Sequence, residues 1–262
     1  MGSAAMQGRL WGTSPRDWAE VSEPLVRPLH EATVAALRPL DGRSLLDAGC
    51  GSGLALRIAA AAGARVSGLD ASAALLEVAR ERVPDADLRV GDLADLPYAD
   101  ATFDVVTAFN AIQYADDPRV AAVELARVAR PGGRVAIGVW GDPARCQTEA
   151  VFAAVRAVAP PPPGSARPLG VSTPGVVEGL LDDAGLTVTT VGEVDCPFTY
   201  PDLDTGWRGQ RTAGPLVRAV EVAGEAAVRT AFDAAHEPHR RPDGSYRQDN
   251  VFRFIIAARR AA

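Results

Sequence analysis

Residues Leu45 to Gly53 read Leu-Leu-Asp-Ala-Gly-Cys-Gly-Ser-Gly, so an apolar run leads directly into a glycine-rich turn. The run predicts a short strand, and residues 54–62 predict the helix that follows it. Glycines at 49, 51 and 53 allow positive φ and let a ligand approach the backbone closely. Because open α/β sheets bind ligands where such a strand ends and a helix begins, the turn indicates a nucleotide-binding site. Taken alone, it is also compatible with an ordinary tight turn.

Three acidic residues mark the ends of three successive predicted strands. Asp47 ends the first strand, Asp70 ends a strand at 65–70, and Asp92 follows a strand at 87–91. An acidic residue at the end of the second strand is well placed to accept the hydroxyl groups of a ribose. Each aspartate by itself also suits the cap of the next helix. Together, the three predict a site for a ribose, an amine and a base.

These segments resemble the class I S-adenosylmethionine-dependent methyltransferases, in particular the small-molecule branch that includes the ubiquinone-biosynthesis methyltransferases. The resemblance covers about residues 40–140 and rests on Asp47-Ala48-Gly49-Cys50-Gly51-Ser52-Gly53, Gly68-Leu69-Asp70, Gly91-Asp92-Leu93, Phe103-Asp104-Val105-Val106 and Arg130-Pro131-Gly132-Gly133-Arg134. A dinucleotide fingerprint would place a glycine where this chain has Leu54, so a nicotinamide cofactor is not expected.

The resemblance implies S-adenosyl-L-methionine as cofactor, with S-adenosyl-L-homocysteine as product. It places Asp47 at the cofactor's amino group, Asp70 at the ribose hydroxyls and Asp92 at the adenine amino group. It also places the Leu93 backbone N–H at a ring nitrogen and Asn110 at the methyl-bearing end. The predicted cofactor residues are Asp47, Ala48, Gly49, Cys50, Gly51, Asp70, Ala71, Gly91, Asp92, Leu93 and Asn110.

Strand and helix patterns alternate from Ser44 onward, which predicts an α/β fold with a doubly wound, Rossmann-like sheet. The resemblance implies seven strands, mostly parallel, with an antiparallel edge strand and a helical lid. Residues 1–40 are predicted to form an N-terminal helical cap. Residues 41–262 would then form the methyltransferase domain, with lid insertions at about 141–175 and 197–246. The predicted strands lie near 44–48, 65–70, 87–91, 104–109, 133–140, 186–194 and 251–258, and the predicted helices include 54–62, 72–82, 117–130, 174–184 and 215–235.

The site for the methyl acceptor is less marked in the sequence. Trp11, Trp18, His30 and Trp140 are predicted to line it, although packing onto the domain is an equal alternative for the N-terminal tryptophans. Methyl transfer from a sulfonium depends mainly on alignment, so a dedicated catalytic side chain is not required. The candidates for a base or an orienting group are His236, His239, Gln113 and Tyr114, and the two histidines equally suit a solvated surface.

Composition restricts the partners. A net charge of -6 without a basic run disfavours nucleic acid, and no stretch is long and apolar enough for a membrane span. Three unpaired cysteines and no signal-peptide pattern predict a cytoplasmic protein, and no metal site is expected. Residues 110–113 lack the Asn/Asp-Pro-Pro-aromatic pattern of enzymes that methylate nucleic acid or protein nitrogen. The expected function is methyl transfer to O, C or N of a small molecule in specialised metabolism, with a cofactor-binding cyclase as the alternative; monomer and homodimer both remain open.

Overall fold

A seven-stranded sheet forms the centre of the computed structural model, which describes residues 3–162 and 169–260. Its strands are β1 Ser44–Ala48, β2 Arg65–Asp70, β3 Asp87–Val90, β4 Phe103–Phe109, β5 Ala129–Trp140, β6 Leu186–Asp195 and β9 Val251–Arg259. They lie in the order β3-β2-β1-β4-β5-β9-β6. Strand β9 runs antiparallel to both β5 and β6, while the other pairings are parallel. The predicted fold class is confirmed, with the antiparallel pairing at the β9-β6 edge.

Helices pack on both faces of this sheet. They are α1 Ser3–Trp11, α2 Pro15–Asp17, α3 Arg27–Ala36, α4 Leu54–Ala61, α5 Ala73–Arg82, α6 Pro118–Val128, α7 Thr148–Val158, α8 Val176–Asp183, α9 Leu203–Gln210, α10 Gly214–Ala223 and α11 Glu225–His236. Successive residues of β1 point to opposite faces, so Leu45 and Leu46 enter different buried clusters. This two-sided burial explains why the central strands read as continuous apolar runs rather than as alternating ones.

The N-terminal segment consists of short helical pieces laid across the domain. Between α2 and α3 the chain makes a π-helical turn at Trp18–Ser22 and a 3-10 turn at Glu23–Val26. Helix α1 packs on α10, and the π-helical turn packs on α9. Arg16 pairs with Glu81 on α5, while Arg9 pairs with Glu221 on α10. The N-terminal segment is therefore attached to α5 and also to α9 and α10.

Two local predictions were wrong. The single helix at 215–235 is two helices, because Gly224 adopts φ 83° and ψ 151°, a conformation incompatible with a continuous helix. Helix α6 ends at Val128, and β5 begins directly at Ala129 instead of near residue 133. A two-stranded ribbon, β7 Phe198–Tyr200 with β8 Tyr246–Gln248, was not anticipated. The predicted lid insertion at about 141–175 falls partly outside the described residues, which end at residue 162 and resume at Leu169.

Candidate active site

The glycine turn after β1 is held in a conformation that glycine alone adopts easily. Gly49, Gly51 and Gly53 have φ of 83°, 54° and 85°. The Gly49 N–H donates to the Leu69 carbonyl at 2.7 Å. A Cβ atom built on Gly49 would lie 2.4 Å from the Cβ of Ala111, so no other side chain fits there. The turn thus brings bare backbone to the edge of a cleft above the sheet.

Asp70 is fixed to this turn through both of its carboxylate oxygens. Oδ2 accepts a hydrogen bond from the Gly51 N–H and Oδ1 accepts one from the Ser72 N–H, both at 2.8 Å. Burial raises the pKa of Asp70, and the two backbone hydrogen bonds oppose that rise. Each oxygen keeps capacity for a further donor, so the carboxylate can accept two neighbouring hydroxyl groups.

Asp47 is a second carboxylate at the same strand edge, and it is only 1% exposed. Its Oδ1 accepts a hydrogen bond from the Thr107 hydroxyl at 2.7 Å. Burial, reinforced by the charges of Asp70 and Glu23, raises the pKa of Asp47 to about 7. Among the described residues, no arginine forms an ion pair with Asp47 or Asp70. The cleft therefore presents acidic groups that a bound cation would stabilise.

Asn110 follows β4 in a left-handed conformation with φ 49°. Its N–H donates to the Gly138 carbonyl at 2.8 Å, but its side-chain Oδ1 is buried with no hydrogen-bond partner. Asparagine tolerates this backbone region better than most residues, and such outliers cluster at ligand sites. On the other side of the cleft, the Asp92 Oδ1 accepts the Ala94 N–H at 2.9 Å, which fixes the turn after β3.

Most predicted site residues lie together along one cleft, which has a volume of about 1400 Å³ including its open mouth. The predicted cofactor residues line it except Ala48, which is buried within β1. The four predicted acceptor residues also line it, as does Tyr114. The residues of the predicted set that line the cleft are Trp11, Trp18, His30, Asp47, Gly49, Cys50, Gly51, Asp70, Ala71, Gly91, Asp92, Leu93, Asn110, Tyr114 and Trp140.

Three of the catalytic candidates lie elsewhere. Gln113 is buried in the turn after β4, and its side chain has no hydrogen-bond partner. His236 is fully buried, with Nδ1 2.8 Å from the Phe232 carbonyl and its ring stacked near the Phe232 ring. His239 lies in the short turn after α11. The structure does not bring these three side chains to the cleft.

The half of the cleft beyond Asn110 is aromatic. The Trp140 ring lies 4.3 Å from the Phe252 ring, 5.6 Å from the Phe198 ring and 5.7 Å from the Phe152 ring, measured between centroids. This half suits a flat or apolar molecule. Trp11 packs edge-on against Trp18 at 5.0 Å and against Tyr114 at 5.5 Å, and Trp18 lies beside the glycine turn, where its Nε1 would be 3.8 Å from a Cβ atom built on Gly51.

His30 is a buried ionisable side chain that lines the cleft. It is 5% exposed, its ring lies 4.5 Å from that of Phe109, and its Nδ1 has no hydrogen-bond partner. Burial, with a smaller contribution from the nearby charge of Arg27, lowers the pKa of His30 to about 3. The imidazole is therefore neutral at physiological pH and has an unused polar atom.

Glu23 is a cleft residue that the sequence analysis missed. It is 4% exposed, accepts a hydrogen bond from the Leu54 N–H at 3.3 Å and forms an ion pair with Arg82. Arg82 also donates to the Ala19 carbonyl at 2.8 Å and to the Ser52 carbonyl at 3.1 Å. Glu23 belongs to no motif, and only its position directly before a proline distinguishes it.

Parts of this chain are similar to a known protein family and to known proteins. Residues 46–137 match the family described as "Methyltransferase domain". A demethylmenaquinone methyltransferase of Renibacterium salmoninarum is 34% identical over 117 residues, which cover 45% of this chain and 49% of that protein. Residues 46–137 are therefore similar to the class I methyltransferases. The 27-O-demethylrifamycin SV methyltransferase of Amycolatopsis mediterranei is 36% identical over 147 residues, covering 52% of this chain and 54% of that protein.

The chain thus spans about half the length of the curated relatives that it matches. The fold similarity extends further. The crystal structure of the YcgJ protein of a Bacillus species has a TM-score of 0.62 at 20% identity and covers 89% of this chain and 98% of that one. The similarity of fold therefore extends over nearly the whole chain, including segments outside residues 46–137.

The cofactor of this family, S-adenosylmethionine, fits the residues present. The carboxylates of Asp47 and Asp70 complement its positive charge, and the unpartnered Oδ1 of Asn110 offers a further polar contact. A Cβ atom at Gly49 would collide with Ala111, so the turn presents bare backbone to the cleft. Within residues 3–162 and 169–260, no cluster of three metal-ligating side chains occurs, and no helix has the length and apolarity to cross a bilayer.

Proposed function

We propose that this protein transfers a methyl group from S-adenosylmethionine to an O, C or N atom of an apolar small molecule. One observation carries the proposal: the acidic half of the cleft is continuous with an aromatic half, and Asn110 lies between them. The names of the curated relatives, which are methyltransferases, support the same activity. The cysteines within the described residues are free thiols, which fits the cytoplasmic location predicted from the sequence.

In this proposal each polar residue holds one part of the cofactor. Asp70 accepts the ribose hydroxyls, Asp92 accepts from the adenine amino group, and Asp47 with Glu23 faces the amino group. The bound cofactor supplies a methyl carbon on a sulfonium, which needs no acid to release the thioether. The protein contributes alignment, and holding the reacting atoms in place is worth about 7–11 kcal/mol. The aromatic side chains exclude water from the acceptor.

His30 positions the acceptor in the same proposal. Its Nδ1 lacks a partner, so it can accept a hydrogen bond from the O–H or N–H of an acceptor and direct the lone pair of that atom toward the methyl group. Its low pKa makes it a hydrogen-bond acceptor rather than a strong base, so the proton of a methylated O–H or N–H passes to solvent as the product leaves. Specialised metabolism remains the setting that we propose for such an acceptor.

A labelled methyl donor tests the function directly. The protein is incubated with cofactor carrying an isotopic methyl group and a panel of phenols, hydroxyquinones and amines. We expect a labelled product together with an equal amount of S-adenosylhomocysteine. The alternative cyclase would rearrange its substrate without forming S-adenosylhomocysteine. If the protein binds the cofactor tightly but forms neither a methylated nor a rearranged product with any compound of broad panels, the result would favour a regulatory protein without catalytic activity.

Replacing Asp70 with alanine should weaken cofactor binding by about 1.5–3 kcal/mol, because hydrogen bonds to a charged group are lost. Isothermal titration with S-adenosylhomocysteine measures the change, and circular dichroism checks that the fold is retained. Asp85→Ala is the matched control, since Asp85 is exposed in the turn after α5. Equal affinity of the Asp70 variant and the control would show that the ribose binds elsewhere.

Replacing His30 with phenylalanine keeps a ring against Phe109 and removes the polar nitrogen. We expect turnover at saturating cofactor to fall about tenfold or more, the effect of one buried hydrogen bond. Cofactor affinity should not change. Because His30 is neutral, the wild-type rate at saturating cofactor should show no step near the ordinary pKa of histidine. A full rate in the phenylalanine variant, or such a step that this variant removes, would contradict the proposed role.

A further inference from the structure

A second cavity adjoins the cleft on the side away from the glycine turn. It lies between α1, α7 and α10 and has a volume of about 1170 Å³ including its opening. Residues that line both spaces are Ser3, Gln7, Tyr114, Ala115, Phe152 and Pro215. The two cavities therefore share a wall at Tyr114 and Phe152, next to the aromatic half that we assign to the acceptor.

The inner wall of this second cavity is apolar. Leu10 from α1, Val155 from α7, and Leu216 and Ala219 from α10 all line it and are at most 5% exposed. These residues come from three helices of the segments around the acceptor half. Nothing in the proposed binding of the cofactor uses this space, which lies beyond the residues assigned to it.

The charges around the second cavity differ from those around the cofactor. Arg156 and Arg218 line it, and Arg156 is paired with Glu149. Arg218 forms no ion pair with any residue in the described part of the chain, although it lies near Glu221, which is paired with Arg9. Asp116 also lines the cavity, and its Oδ2 accepts the Ser3 N–H at 2.9 Å. At the second cavity the charged side chain without an ion pair among the described residues is a cation, Arg218. In the cofactor half, the charged side chains without an ion pair among these residues are the carboxylates of Asp47 and Asp70.

We propose that the second cavity is the distal part of the acceptor site, and that it binds an apolar chain ending in an anionic group such as a carboxylate. The chain would extend from the reacting head in the aromatic half, past Tyr114, along the helix faces. Its anionic end would lie beside Arg218. The inference rests on the proposed function, because it assumes that the acceptor head occupies the aromatic half.

Binding of ω-(4-hydroxyphenyl)alkanoates to the protein saturated with S-adenosylhomocysteine tests the proposal without requiring turnover. Chain lengths from about two to about eight carbons are compared by isothermal titration. Each methylene that enters the apolar cavity should tighten binding by about fourfold. At the longest chain, the carboxylate should bind more tightly than the matching methyl-ended alkylphenol. Affinity that does not depend on chain length would overturn the proposal.

Two variants separate the parts of the cavity. Ala219→Phe places a large side chain in the apolar part of the cavity. It should abolish the gain in affinity from long chains and leave the affinity for the shortest phenol unchanged. The side chain of Arg218 is partly exposed, and Arg218→Gln should weaken the preference for a carboxylate end by about tenfold. Arg57→Gln is the control, because Arg57 is an exposed residue of α4. Equal carboxylate preference in the Arg218 and Arg57 variants would refute the anionic end.

The outcome is independent of methyl transfer. If no methylated product forms but the chain-length series behaves as expected, the proposed function fails and the second cavity remains a binding site. If product forms and the series is flat, the distal site fails and the proposed function stands.

Discussion

Replacing Arg82 with methionine is expected to lower the free energy of unfolding by about 3–5 kcal/mol, the effect of removing one partner from a buried ion pair. Glu23, whose side chain is 6% exposed, would then face Asp47 and Asp70 across the cleft without its cation. The hydrogen bonds from Arg82 to the Ala19 and Ser52 carbonyls would be lost as well.

The same substitution should release the N-terminal segment from the domain. Arg82 joins Ala19 and Glu23 of that segment to Ser52 of the glycine turn, so its loss should also weaken cofactor binding. Chemical denaturation measures stability, and limited proteolysis measures exposure of residues 3–26. Arg80→Met on the same helix is the control, because the Arg80–Glu77 pair is exposed and such pairs contribute about 0–1 kcal/mol. Similar losses in both variants would contradict a structural role for the buried pair.

The cofactor half of the site could be predicted because its residues obey a local rule. Asp47, Asp70 and Asp92 each lie at or just after the end of a strand, and parallel pairing of β1, β2 and β3 brings those ends together. The glycine turn is encoded in a few consecutive residues. The sequence therefore predicted both the sheet and the edge where ligands bind, and the structure confirms the sheet.

The acceptor half follows no comparable rule. Phe152, Phe198 and Phe252 reach Trp140 from α7, β7 and β9, so their proximity depends on packing between distant segments. No period or motif connects them in the sequence. The histidines in the predicted lid were chosen for their chemistry, but His236 faces the interior beside Phe232 instead of the cleft. Helix orientation decided this, and Gly224, which divides the predicted helix, contributes to that orientation.

Replacing Asp47 with asparagine is expected to stabilise the free protein above neutral pH. The pKa of Asp47 is about 7 in the folded protein, above the value near 4 of an unfolded chain. Between these values the folded state holds a proton that the unfolded state has lost, so stability falls as pH rises through this window. From about pH 5 to about pH 8 the loss from this group should be about 2–3 kcal/mol, and the asparagine variant should avoid it.

The affinity for the cofactor should rise with pH, whereas the stability of the free protein falls. The ionised carboxylate is the form that binds an ammonium group, so affinity for S-adenosylmethionine should rise about fivefold to tenfold between about pH 6 and about pH 7.5 in the wild type. Asp47→Asn should remove this pH dependence and weaken binding by about 1.5–3 kcal/mol. Thermal unfolding and titration calorimetry across this range measure both effects, with Asp85→Asn as the exposed control.

An Asp47 variant that is both less stable at pH 8 and undiminished in affinity would show that the buried carboxylate serves the fold instead of the ligand. If the asparagine variant is instead more stable without ligand and binds the cofactor more weakly, Asp47 serves the ligand. The buried carboxylate then lowers the stability of the free protein, and it is retained because the bound cation requires it.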